Sequence, residues 1–228
     1  MRKIGVILSG CGVYDGSEIQ EAVFTLLSIA QHNAQAVCFA PNINQHHVVN
    51  HCTGEEMPES RNVLTEAARI ARGNIQSLDK FDANEIDALI LPGGFGVAKN
   101  LTKWAFTGPA GEINKEVENA IHSMFVLKKP ICGLCMAPTT IAKALENKTK
   151  TLQLTVGTNA EKSPYEIEAI SNGINSTGAI AHMKTIHEIC IDEKNKIVTA
   201  PCYMMEASIV EVKNNIDQAI NQLFKFLN

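Results

Sequence analysis

The sequence predicts an α/β fold, a doubly wound and mostly parallel sheet sandwiched by helices, with a β-hairpin near the end. Three observations predict it. Short runs that are apolar on both faces, Ile4 to Leu8, Ala36 to Ala40, Ile86 to Leu91 and Ile131-Cys132, suit parallel strands covered by helices. Stretches with helical periodicity separate these runs. Glycine or proline punctuates their ends, at Gly10, Pro41 and Pro92-Gly93-Gly94. The 228 residues are enough for one large core, and no linker or repeat divides them, so residues 1–228 are expected to form one domain.

Taken in order, Ile4 to Leu8 is the first strand and Ser9 to Gly16 a loop. Ser17 followed by Gln20 fits a capping box opening the first helix, which carries Ile19, Val23, Leu26, Leu27 and Ala30 on one face. Ala36 to Ala40 is the second strand. Asn42 to Pro58 is irregular, and Ser60 to Arg72 reads as a helix closed by Gly73. Ile86 to Leu91 is a strand ending in Pro92-Gly93-Gly94-Phe95-Gly96, and Asn114 to Lys128 is a helix. Leu152 to Val156 is a strand, and Pro164 to Ile170 a helix closed by Gly173. Ile186 to Ile191 and Ile197 to Ala200 alternate around Glu193-Lys194-Asn195-Lys196 as a hairpin. An amphipathic helix with Ile209, Val212, Ile216, Ile220 and Leu223 follows it.

The stretch Ile131-Cys132-Gly133-Leu134-Cys135-Met136-Ala137-Pro138 has the order strand, sharp turn, helix. A nucleophile on such a turn stands at the carboxyl end of a strand and the positive end of a helix. Helix N-termini depress thiol pKa, so Cys135 is the candidate nucleophile. In a doubly wound sheet, ligands bind beyond the carboxyl ends of the strands. Three loops converge there: the one leading to Glu21, the one bearing Gly93 and Gly94, and the Cys135 turn.

Net charge is −4, which offers no basic surface for nucleic acid. No run approaches the roughly 20 apolar residues of a membrane span. Seven cysteines without a secretory leader suggest reduced thiols and a cytoplasmic location. Gly10-Cys11-Gly12 with Gly16 is a weak dinucleotide fingerprint, and Ala40-Pro41-Asn42 lacks the acid a ribose requires. Cys132 and Cys135 form a C-x-x-C, but Cys132 should lie inside the strand. His46, His47, His51 and Cys52 lie in a polar loop without a second cluster of ligand spacing, so neither metal nor cofactor is expected. His182 and His187 are candidates for a further proton carrier, against a default of surface histidines. Cys11 and Cys202 are candidate pocket residues, with packing as the default.

The stretches Ile4 to Glu18, Pro92 to Leu101 and Lys196 to Pro201 carry a resemblance. The chain resembles the PfpI-type protein deglycase and glyoxalase branch of the class I glutamine amidotransferase-like superfamily. Within it, the chain is most similar to the enhancing-lycopene-biosynthesis (ElbB-type) group. The resemblance implies a flavodoxin-like fold, a homodimer, and cofactor-independent glyoxalase or deglycase chemistry on small dicarbonyls, beside isoprenoid metabolism. It implies Glu21 as the acid touching Cys135, and backbone N–H groups of Gly94 and Met136, with Gly93 beside them, as oxyanion donors. The chain departs from the pattern where family proteases have His after the cysteine, here Met136. It departs again where glutaminases have a late His-x-Glu, here Cys202-Tyr203-Met204-Met205-Glu206. The alternatives are a binding or redox-sensing module using Cys135, and an amidotransferase-type subunit.

Overall fold

The computed structural model describes residues 1–227. Its main sheet has seven strands in the order β3-β2-β1-β4-β5-β9-β8. They are β1 (Lys3–Ile7), β2 (Gln35–Ala40), β3 (Ile75–Ser77), β4 (Ala88–Leu91), β5 (Ile131–Leu134), β8 (Cys190–Asp192) and β9 (Ile197–Ala200). All neighbours pair in parallel except β8 with β9, which form the hairpin. The strands β4 and β5 are buried along their whole length, as continuous apolar runs require of strands covered on both faces.

Helices α1 (Ile19–Gln31) and α7 (Ile209–Lys225) pack together on one face, where His32 stacks on Phe224 at 4.1 Å. Helices α4 (Lys115–Val126) and α5 (Ala137–Ala144) pack together on the other face. α2 (Val63–Ile70) covers β2 and β3, and a short turn of helix, α3 (Trp104–Thr107), follows the glycine loop. Strands β6 (Gln153–Gly157) and β7 (Ile180–Met183) form a separate two-stranded parallel sheet connected by α6 (Ile167–Ser176). This small layer rests on β8 and β9 through β6.

Local chemistry sets the ends. Asn62 caps α2, Asn114 caps α4 by accepting from Glu116 and Val117 N–H, and Ser208 with Glu211 forms a capping box on α7. The N-cap of α1 is Glu18 rather than Ser17. The Ser17 hydroxyl is instead taken by the Ser9 N–H at 2.9 Å, and the Glu18 carboxylate accepts from Glu21 N–H at 2.6 Å. The face of α1 expected to be buried is turned outward. Ile19, Val23 and Leu27 are each 45% exposed, while Ala22, Thr25, Ser28 and Ile29 face the core. Small residues on that side let α1 lie close to the sheet. α6 begins and ends later than its sequence signals, and Gly173 lies inside it, where a Cβ would meet the Trp104 ring at 2.9 Å.

The chain reverses direction across the sheet at β1 and β4, which lie side by side with β2 and β5 on their outer flanks. The carboxyl ends of β1, β4 and β5 therefore open onto one crevice.

Candidate active site

The loop after β1 and the loop after β4 are fastened to each other. Phe95 N–H donates to Val13 C=O at 2.8 Å, Gly96 N–H to Gly16 C=O at 2.9 Å, and Glu18 N–H to Gly93 C=O at 2.9 Å. The buried Asn100 amide donates to the Ser9 and Asp15 carbonyls, fixing the loop's base. The approach is close enough that only glycine fits at Gly94, which has φ +100° and whose Cβ would lie 2.3 Å from Glu18 N.

Cys135 follows β5 directly and Met136 is the N-cap of α5, so the expected strand–turn–helix is present. Cys135 takes φ +56°, a left-handed conformation rare for a side chain bearing Cβ. Its N–H donates to Ala200 C=O at 2.9 Å, which extends the β5–β9 ladder by one bond and holds the strained residue. Cys135 is 5% exposed. Backbone N–H groups of Gly94 and Met136 both point at its sulfur.

Glu21 is fully buried one turn into α1. Its Oε2 accepts from Gly93 N–H at 3.1 Å and its Oε1 from Tyr203 N–H at 3.1 Å. The carboxyl also hydrogen-bonds the Cys135 thiol. Gly93 is wedged between the two groups: a Cβ there would lie 2.4 Å from Cys135 Cβ, 2.7 Å from Glu21 Oε2 and 2.8 Å from the sulfur. All five sequence-predicted site residues, Cys135, Glu21, Gly93, Gly94 and Met136, thus meet.

The electrostatics differ from the expectation of a depressed thiol. Burial, first, and the negative charge of Glu18, second, push Glu21 up to about 8. Burial and the Glu21 charge push Cys135 up, against the two backbone N–H groups that favour its thiolate. A helix N-terminus cannot offset removal from water and an adjacent carboxylate together. The two groups titrate as a pair, and its first proton leaves near pH 8. Above that pH the pair holds one proton, in the hydrogen bond between the Glu21 carboxyl and the Cys135 sulfur.

A small pocket opens over the sulfur, lined by Val13, Glu18, Gly94, Phe95, Cys135, Met136, Tyr165, Ile170, Tyr203 and Met204. Most of the lining is apolar. Tyr165 and Tyr203 had no sequence signal, because they reach the site from loops far along the chain. Tyr203 follows Cys202, whose left-handed φ of +47° turns the Tyr203 N–H onto Glu21. Cys202 is buried beneath the pocket and takes no part in its lining. Cys11 lies against α1 and α2, away from the pocket.

The histidines go elsewhere. His187 is exposed beside Glu211 at 3.9 Å, and His182 lies on β7; neither lines the pocket. His46 and His47 pack around Phe106. His51 takes the Tyr14 N–H on Nε2 and donates from Nδ1 to Val49 C=O, which braces the first loop. Among the described residues no three His, Cys, Asp or Glu side chains are grouped to hold a metal ion. Cys132 is buried within β5, so the C-x-x-C does not place two sulfurs at the helix end.

The sheet order, the strained cysteine turn and the glycine loop are those of a class I glutamine amidotransferase-like domain, a fold shared with ThiJ/PfpI proteins. A crystal structure described as an isoprenoid biosynthesis protein with amidotransferase-like domain, from Ehrlichia chaffeensis, superposes with TM-score 0.90 at 34% identity, covering 100% of both chains. Drosophila melanogaster DJ-1beta shares the fold, with TM-score 0.54 at 12% identity, covering 99% of this chain and 95% of its own. No protein-family model matches the chain. Relatives do: the ES1 protein homolog, mitochondrial, of Rattus norvegicus is 40% identical over 98% of this chain and 83% of its own length. The human glutamine amidotransferase-like class 1 domain-containing protein 3, mitochondrial, is 40% identical over 98% of this chain and 82% of its own length. The chain belongs to this ES1 and glutamine amidotransferase-like class 1 domain-containing protein 3 family.

The cytoplasmic expectation is overturned by these names. The rat and human proteins, and the Danio rerio ES1 protein at 32% identity over 89% of this chain and 77% of its own length, are all called mitochondrial. Free thiols report a reducing environment and do not distinguish one reducing compartment from another.

Proposed function

We propose that the protein is a cofactor-independent glyoxalase-type enzyme that converts glyoxal or a related small dicarbonyl to the hydroxy acid. The observation that carries the reading is the buried, hydrogen-bonded pair of Cys135 and Glu21, with the N–H groups of Gly94 and Met136 aimed at the sulfur. The Cys135 sulfur adds to an aldehyde carbon, forming a C–S bond. Negative charge moves to the carbonyl oxygen, which takes its hydrogen bonds from the Gly94 and Met136 N–H groups as the sulfur gives them up. The proton of the pair reaches that oxygen. Glu21, now a carboxylate, removes the hydrogen from the same carbon and delivers it to the neighbouring carbon, while the proton on the first oxygen passes to the second, leaving a thioester carbonyl and a hydroxyl. The first carbon is oxidised and the second reduced, so no external oxidant or hydride donor enters. The resulting thioester is hydrolysed, releasing the hydroxy acid and the thiol.

An apolar pocket favours this chemistry over amide cleavage. Amide cleavage requires a group that protonates a departing amine, and no histidine lines the pocket. This weighs against the amidotransferase-type alternative. The description of the Ehrlichia chaffeensis neighbour as an isoprenoid biosynthesis protein supports a role beside isoprenoid metabolism. A second copy of the chain is the proposed partner, seated on the outward apolar stripe of α1. The test of the chemistry is acid quenching during turnover of glyoxal, followed by peptide mapping. A hydroxyacetyl group on the Cys135 peptide is expected; its absence while glycolate forms would contradict the covalent route.

A further inference from the structure

The proposed reaction leaves one oxygen unattended. When Glu21 removes the hydrogen from the first carbon, negative charge spreads onto the oxygen of the second carbonyl. The Gly94 and Met136 N–H groups stand at the sulfur and serve the first oxygen. The second oxygen lies one carbon further from the sulfur, out in the pocket.

Few donors remain there. Of the side chains lining the pocket, Cys135, Tyr165 and Tyr203 carry a hydrogen to donate, besides Glu18 when protonated. Cys135 is the nucleophile. The Tyr203 hydroxyl is engaged by Gln20 Oε1 across the rim. The Glu18 carboxylate is occupied as the N-cap of α1. Of the two hydroxyls lining the pocket, that of Tyr165 alone has no hydrogen-bond partner among the described residues. Its ring is held edge-on to Phe95 at 5.6 Å between centroids. Its backbone is pinned too, since Tyr165 N–H donates to Ser163 Oγ at 3.0 Å, and that hydroxyl donates to Met204 C=O at 2.6 Å.

Tyr165 also senses the reacting groups. Its phenol is pushed up to about 12, by burial first and then by the charges of Cys135 and Glu21. It therefore stays protonated, and is a hydrogen donor, throughout the range in which the pair works.

Building on the proposed glyoxalase reading, we propose that Tyr165 is a catalytic residue whose hydroxyl donates to the second carbonyl oxygen of the dicarbonyl and stabilises the enediolate. The site then selects substrates with two adjacent carbonyls. A simple aldehyde forms the hemithioacetal but gains nothing from Tyr165.

The test compares wild type with Tyr165→Phe, which keeps the ring against Phe95. Two readouts are taken: kcat for glyoxal, and reversible inhibition by propanal, which reports hemithioacetal formation alone. Removing one donor to a developing oxyanion costs on the order of 10²–10³ in kcat in other enzymes, and a loss of at least about tenfold is expected here. The inhibition constant for propanal is expected to change less than about twofold. Equal kcat in both proteins overturns the role of Tyr165 and leaves the glyoxalase reading standing. Loss of turnover together with loss of propanal binding, or an unfolded variant, assigns Tyr165 to packing and overturns the inference. A Tyr165→His variant with a recovered part of the lost kcat supports it further, because an imidazole N–H restores a donor. Absence of glyoxal turnover in wild type removes the proposed reaction itself, and this inference with it.

Discussion

Replacing Glu21 by Gln moves stability, thiol reactivity and turnover in different directions, which makes it a demanding probe. Glu21 accepts backbone hydrogen bonds on both oxygens, from Gly93 on one and Tyr203 on the other. A glutamine amide accepts on only one atom, so one of these buried N–H groups is left facing an NH2. An unpaired buried donor costs about 1–3 kcal/mol. The wild type carries its own penalty at high pH. The carboxyl is raised from 4.5 to about 8 in the fold, so unfolding releases its proton between those values. The stabilisation from holding that proton is whole below pH 4.5 and is lost as pH rises through about 8. At about 1.4 kcal/mol per unit, the loss is of the order of 5 kcal/mol. Denaturant unfolding should show Glu21→Gln less stable than wild type by about 1–3 kcal/mol at pH 5, with the order reversed or equal at pH 9. The charge that holds the Cys135 thiol up is gone in the variant, so iodoacetamide should alkylate Cys135 faster than in wild type at pH 9. Turnover of glyoxal should nevertheless fall by about 10²–10⁴, as for loss of a general base. Slower alkylation of Cys135 in the variant at pH 9, or turnover near the wild-type rate, would refute the coupling of the two groups.

Other consequences follow from the same geometry. Gly93→Ala places a methyl 2.4 Å from Cys135 Cβ, so turnover should be lost and stability should drop by about 1–3 kcal/mol in thermal or denaturant unfolding. Because the pair reaches its one-proton state near pH 8, kcat/KM should rise with pH, with about a tenth of the plateau at pH 7 and about half at pH 8; a profile flat from pH 6 to 9 contradicts this. Cys135 sits at φ +56°, so Cys135→Gly should be more stable than Cys135→Ala by about 1 kcal/mol, measured by denaturant unfolding. Leu27→Glu on the exposed stripe of α1 should convert a dimer to a monomer in light scattering, and a wild-type monomer at micromolar concentration would remove the proposed partner.

Much of this arrangement was written locally in the sequence. β1, β2, β4 and β5 could be read because parallel strands covered on both faces must be apolar throughout. The Cys135 turn could be read because small residues between a strand and a helix leave few other structures. The capping of α1 could not be decided in the same way, since Ser17 and Glu18 are both good caps and a distant backbone group, Ser9 N–H, took the serine. Periodicity found α1 but put its apolar stripe on the wrong side, because a helix with small residues can bury Ala22, Thr25 and Ser28 and leave Val23 and Leu27 outside. On α7 the periodicity picked the buried face at Val212, Ile216, Ile220 and Leu223, while Ile209 at its start stays exposed. β6 reads as any buried strand, and nothing local says that it leaves the main sheet to pair with β7. The raised titration of Cys135 and Glu21 arises from burial of two groups 114 positions apart in the chain, which no local pattern contains.

The most direct test of the central claim is glycolate formation from glyoxal, followed by NMR with purified protein, no added glutathione and a chelator present. Wild type is expected to form glycolate continuously, and Cys135→Ser to form none above the uncatalysed background. Equal product from the two proteins, or none from either, would contradict a catalytic Cys135 acting on dicarbonyls.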